Sequence, residues 1–79
     1  MTAGLLILRK SVGSATTVAL PTNPLAFFQY VIKDGKGDAS TNNITVTSPL
    51  NIDGASTYVI NVNYSSNSFV FDTVTWNAV

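Results

Sequence analysis

The stretch from Ile32 to Thr47, IKDGKGDASTNNITVT, decides the fold. It reads as the end of one strand, a tight turn at Asp34-Gly35, a second permissive position at Gly37, a polar loop over Asp38 to Asn43, and a new strand. In that new strand Ile44 and Val46 point inward, while Thr45 and Thr47 point outward. Period-two alternation of this kind marks a half-buried strand. Asp-Gly supplies the positive φ that tight hairpin turns need. The same reading applies to Asp53-Gly54, so Asp34, Gly35, Gly37, Asp53 and Gly54 are the predicted turn residues.

Working outward, Phe27 to Lys33 places Phe28, Tyr30 and Ile32 on one face and Phe27, Gln29, Val31 and Lys33 on the other. Apolar residues on both faces predict a strand covered on both sides. Ser48-Pro49 interrupts the following strand, and Leu50-Asn51-Ile52 leads into Asp53-Gly54. Thr57 to Tyr64 alternates Tyr58, Ile60, Val62 and Tyr64 against Thr57, Val59, Asn61 and Asn63. Ser65 to Ser68 reads as a polar turn; Phe69 and Phe71 then share a face, and Val74 and Trp76 form a last strand. No segment combines a 3.6-residue apolar stripe with helix caps. The fold class is all-β, built from short antiparallel strands.

Toward the N-terminus, Leu5 to Leu8 is an apolar run followed by Arg9-Lys10. At this length periodicity does not separate a buried strand from a helical turn, and two readings stand: an integral first strand, or an arm that docks on a partner. Under the second, Leu5, Leu6, Ile7, Leu8, Arg9 and Lys10 are the docking residues. Thr16, Val18 and Leu20 alternate with Thr17 and Ala19, and Pro21 and Pro24 stop that strand. The PTNP segment divides residues 1–24, an arm or first strands, from a β unit over 25–79.

A chain of 79 residues is one domain at most. At this size a monomer buries only about 60% of its unfolded surface, and chains this small commonly add disulfides, a metal or an oligomer interface. Cysteine and histidine are both absent, which removes disulfides and thiolate or imidazole metal sites and leaves other copies of the chain as the source of further stability. Four basic residues balance four acidic ones. A neutral chain has no electrostatic footprint for nucleic acid and no polybasic membrane anchor. No run approaches the roughly 18–20 apolar residues that span a bilayer. The positive charges follow GLLIL instead of preceding it, the reverse of a signal peptide, so no export signal is expected.

Chemistry-bearing motifs are few. Gly35 to Ser40, GKGDAS, lacks phosphate-loop spacing and a following helix. Asp34, Lys36, Asp38 and Ser40 have the alternate spacing of a calcium loop without its glycine or terminal glutamate, and read as solvated turn residues. Asn43-Ile-Thr45 and Asn63-Tyr-Ser65 fit the glycosylation pattern, but without an export signal they read as strand residues that happen to fit it. With no His, Cys or Glu to serve as base, no enzyme and no cofactor are expected. The regular placement of Tyr58, Tyr64, Phe69, Phe71 and Trp76 favours a packing layer over a sugar-stacking platform. With Ile60 and Val62 they are the candidate residues of an interface between copies.

YVIKDGKGDASTNNITVTSP (Tyr30 to Pro49), IDGASTYVINVNYSS (Ile52 to Ser66) and the closing Trp76 together resemble a segment of bacteriophage virion proteins, found in tail fibres, tailspikes and head decoration proteins. Phe71-Asp72-Thr73 departs from that pattern, which carries Asp-Gly there. The resemblance implies a homotrimer in which three chains share an intertwined β-prism or barrel. It implies a structural virion component, made in the host cytoplasm. The first reading is a capsid decoration or cement protein at local threefold positions, contacting the major capsid protein or another virion protein. The alternative is a fibre or spike module that recognises host polysaccharide, the one reading that brings in a glycan.

Overall fold

In a computed structural model residues 3–79 are described; Met1 and Thr2, the start of the expected arm, lie outside them. Seven strands form one mixed sheet: β1 (Ala3–Leu8), β2 (Thr16–Ala19), β3 (Gln29–Asp34), β4 (Ile44–Ile52), β5 (Ala55–Ile60), β6 (Ser66–Phe71) and β7 (Trp76–Ala78). Their order is β1-β3-β6-β7-β4-β2, with β5 also on β4, and the sheet curls into a half-barrel. The chain is all-β, as predicted. Its pairing is not purely antiparallel, because β1 runs parallel to β3 and β2 parallel to β4. Each of these pairs skips a strand in sequence, which local turn signals do not report.

One face of the sheet supplies the core. Leu20, Ile32, Ile44, Val46, Ile52, Ile60, Phe69, Phe71 and Trp76 are buried together. The register explains the membership: Ile44 stands opposite Ile60 and Val46 opposite Tyr58, and Ile32 lies beside Leu6. Tyr58 of β5 meets Phe69 of β6 edge to face across the core, ring centroids 5.2 Å apart. Phe71 and Phe28 both contact the ring of Trp76.

Two connections show how sequence sets local geometry. Ile52 pairs with Ala55, so Asp53-Gly54 is a two-residue hairpin loop. Its φ values of 50° and 83° are the pair that a type I′ turn requires. Upstream, Ser48 to Asn51 of β4 face Ser56 alone between the Thr47–Thr57 and Ile52–Ala55 pairs. This bulge accommodates Pro49, and the Leu50 N–H donates to Ser48 Oγ within it, 3.0 Å.

Several strand limits differ from the sequence reading. β5 ends at Ile60, leaving Val62 and Tyr64 in an exposed turn, and β6 begins within the expected polar turn. Val74 is 74% exposed in the β6–β7 turn, and the last strand starts at Trp76. β3 extends to Asp34 instead of turning there.

Candidate functional site

Strand direction divides the connections between two ends of the sheet. At one end gather residues 9–15, 35–43 and 61–65; at the other, 20–28, 53–54 and 72–75. Each end is built around carboxylates, in different ways.

Asp34 organises the first end. It follows Tyr30 and Ile32 on the inward face of β3, so its carboxylate is buried. Oδ1 accepts the Gly37 N–H at 3.0 Å; Oδ2 accepts those of Ala39 and Tyr64 at 3.0 and 3.1 Å. Burial pushes the carboxyl pKa up. The N–H groups of Tyr64, Ala39, Gly37 and Lys36 outweigh it and leave the pKa below the ordinary carboxylate value. The expected solvated role for Asp34 is therefore corrected: the group is a buried acceptor that ties one connection to another. Period-two counting from Ile32 carried that signal.

The same end is closed by further polar contacts. Asn63 Oδ1 accepts the Ser40 N–H at 2.8 Å. Asp38 accepts from the Asn42 side-chain amide at 3.0 Å and pairs with Lys10 at 3.4 Å. Lys10 also donates to the Ser14 carbonyl, which fastens the β1–β2 connection to the loop after β3. Gly37 has φ 84°, and the ring of Tyr64 occupies the space that a Cβ there would need. Tyr64 itself has φ 61°, is 61% exposed and lies near Lys33, whose ammonium is 5.7 Å from the ring centroid.

At the opposite end Asp72 Oδ1 accepts from Thr75 and Val74, and Oδ2 from the Asn77 amide. The Thr75 N–H first, then Asn77 and Val74, lower its pKa. Asp53 receives the Ala78 N–H at 3.3 Å. Around these turns sit exposed Leu25, Phe27 and Val74. Phe27 and Thr73 hold positive φ without being glycine, 58° and 81°. Thr73 occupies the position where the resemblance expected glycine, and it takes the glycine-like conformation.

The outer faces also contrast. Leu5 and Ile7 of β1 are exposed, with Val31 and Lys33 of β3 beside them in register. Across β2, β4 and β5 the corresponding row is mostly threonine: Thr17 beside Thr45, and Thr47 beside Thr57. Of the expected docking residues, Leu5, Ile7 and Arg9 are exposed, while Leu6, Leu8 and Lys10 are half-buried. β1 pairs with β3 along its whole length, so the run is an edge strand of the sheet. Of the residues expected at an interface between copies, Ile60, Phe69, Phe71 and Trp76 lie in this chain's own core, Tyr58 is half-buried, and Val62 and Tyr64 are exposed.

Between β5 and β6–β7 the curled sheet leaves a cleft of about 140 Å³ lined by Tyr58, Ser66, Asn67, Ser68, Ala78 and Val79. Nothing in the sequence pattern marked it. Among the described residues no three His, Cys, Asp or Glu cluster to hold a metal, and no helix is long and apolar enough to cross a membrane. No protein-family model matches the chain, and no curated protein matches it.

Proposed function

We propose that this chain is a structural component of a bacteriophage particle, a head decoration protein that binds as a homotrimer at local threefold positions and stabilises the shell. One observation carries the structural part of the reading. All four aspartates serve the chain's own turns and connections: Asp34, Asp53 and Asp72 accept backbone N–H groups, and Asp38 pairs with Lys10 and Asn42. Carboxylates committed to holding connections are poorly placed for acid–base work, which needs a group free to exchange a proton with a substrate. The virion setting rests on the resemblance of Tyr30 to Ser66 and Trp76. The exposed apolar side chains of β1 are suited to contact with another protein.

A decoration protein of this kind stabilises by binding only the assembled shell; it turns nothing over and uses no cofactor. Imaging of particles, with heating of particles that carry or lack the protein, tests the reading. It expects density at threefold positions on the head and lower shell stability without the protein. Equal stability, or density on the tail alone, contradicts it.

The receptor-binding alternative draws on one observation, the exposed Tyr64 ring beside Lys33. Under that reading Tyr64→Ala abolishes polysaccharide binding and leaves the assembly intact. Trp76 cannot serve as such a platform in this chain, because it is fully buried.

A further inference from the structure

Three strands of the sheet have one partner each and so a free edge: β1, β2 and β5. At β1 the Leu8 carbonyl accepts the Gly35 N–H at 2.8 Å. Backbone direction alternates along a strand, so Gly4, Leu6 and Leu8 turn toward β3 and the N–H and C=O groups of Leu5 and Ile7 point away from the sheet. At the other side, the carbonyls of Asn43 and Thr47 accept from Thr16 and Leu20 on the β2 side. Ile44 and Val46 therefore turn toward Ile60 and Tyr58 of β5, and the backbone groups of Thr57 and Val59 face outward. No strand among the described residues lies beyond β1 or beyond β5.

Natural edges are blunted by charge, proline, bulges or shortness. β2 is short, four residues, and is followed by Pro21. β1, AGLLIL, and β5, ASTYVI, are six residues each and contain neither charge nor proline. Leu5, Ile7 and Val59 are exposed along them.

We propose that copies of this chain join head to tail, the free edge of β1 in one copy pairing with the free edge of β5 in the next. The inference rests on the self-assembly in the proposed function and names its surface. The two strands match in length, and neither carries a charge that would oppose the pairing. Both are free edges of one curled sheet, β5 lying off the β1-to-β2 path on β4, so each addition extends the sheet and leaves the same two edges for the next copy. A heterologous contact of this type closes into a ring when the rotation allows. A twofold pairing of β1 with itself would leave the β5 edge unmet.

The test uses the intact protein in solution, with mass from light scattering and residue-resolved amide exchange. The expected result is a trimer in which the Leu5, Ile7, Thr57 and Val59 amides exchange at least about tenfold more slowly than in dilute monomer, the weight of roughly one hydrogen bond. Leu5→Pro removes an outward donor without removing a β1–β3 bond. It should weaken association about tenfold or more while the Leu6 and Leu8 amides stay protected. If that variant loses Leu6 and Leu8 protection, Leu5→Lys supplies the test at a side chain that is already 65% exposed, with the same expected loss of association. A monomer, a dimer protected only along β1, or Leu5→Lys that associates like the parent overturns the proposal. No arm uses virus particles, so its failure is separate from a failure to find the protein on the head.

Discussion

Gly37 and Gly54 have almost the same backbone, φ 84° and 83°, at opposite ends of the sheet. A Cβ added at Gly37 would overlap the ring of Tyr64; one added at Gly54 meets nothing within 4 Å. The first glycine provides both conformation and space, the second conformation alone. The difference runs through both ends. Around Gly37 a buried carboxylate, an ion pair and a stacked tyrosine fasten three connections together. Around Gly54 each turn closes on itself or its neighbour, and the apolar side chains Leu25, Phe27 and Val74 are left in solvent.

The largest effect that would break this contrast is expected at Asp34. Asp34→Ala leaves the Gly37, Ala39 and Tyr64 amides without their acceptor and should cost about 3 kcal/mol or more. That is most of the stability of a domain this small, about 5 kcal/mol. Denaturant unfolding would show it; a loss under about 1 kcal/mol would mean that the amides find water.

Gly37→Ala comes next. Left-handed strain of about 1–2 kcal/mol adds to displacement of the Tyr64 ring, so melting should fall well below that of Gly54→Ala. The latter should show the strain alone, about 1–2 kcal/mol. Equal losses would place the Tyr64 ring elsewhere.

The smallest effect sharpens the apolar end. Phe27 is mostly exposed and sits at φ 58°, so Phe27→Asn relieves strain and removes little buried surface. A gain of about 0.5 kcal/mol is expected, since asparagine tolerates this region. A loss in melting temperature would show that the ring makes a stabilising contact.

These positions also show what a sequence reports. The Asp53-Gly54 turn was legible because its chemistry is local, and so was the Ile44/Val46 face, because alternation is a property of consecutive residues. Asp34 reads as a turn residue because Asp-Gly is a strong local signal. The tertiary demand came from Tyr64, distant in sequence, whose N–H it accepts. That same bond helps explain why the alternation from Thr57 does not continue as strand to Tyr64, whose backbone is instead left-handed. The parallel pairs of β1 with β3 and β2 with β4 leave no local mark either, since their register is set by the shared core.

Folding lowers the pKa of Asp34 and of Asp72. Their contribution to stability is therefore full above the unfolded-chain value of 3.8 and is lost as pH falls through the folded value. The most direct test of the structural assignment of Asp34 is its own carboxyl titration in the intact protein by nuclear magnetic resonance. The account predicts a midpoint below 3.8, with the Gly37, Ala39 and Tyr64 amide shifts moving in step. A midpoint at or above 3.8, or amides that do not follow the carboxyl, would contradict it.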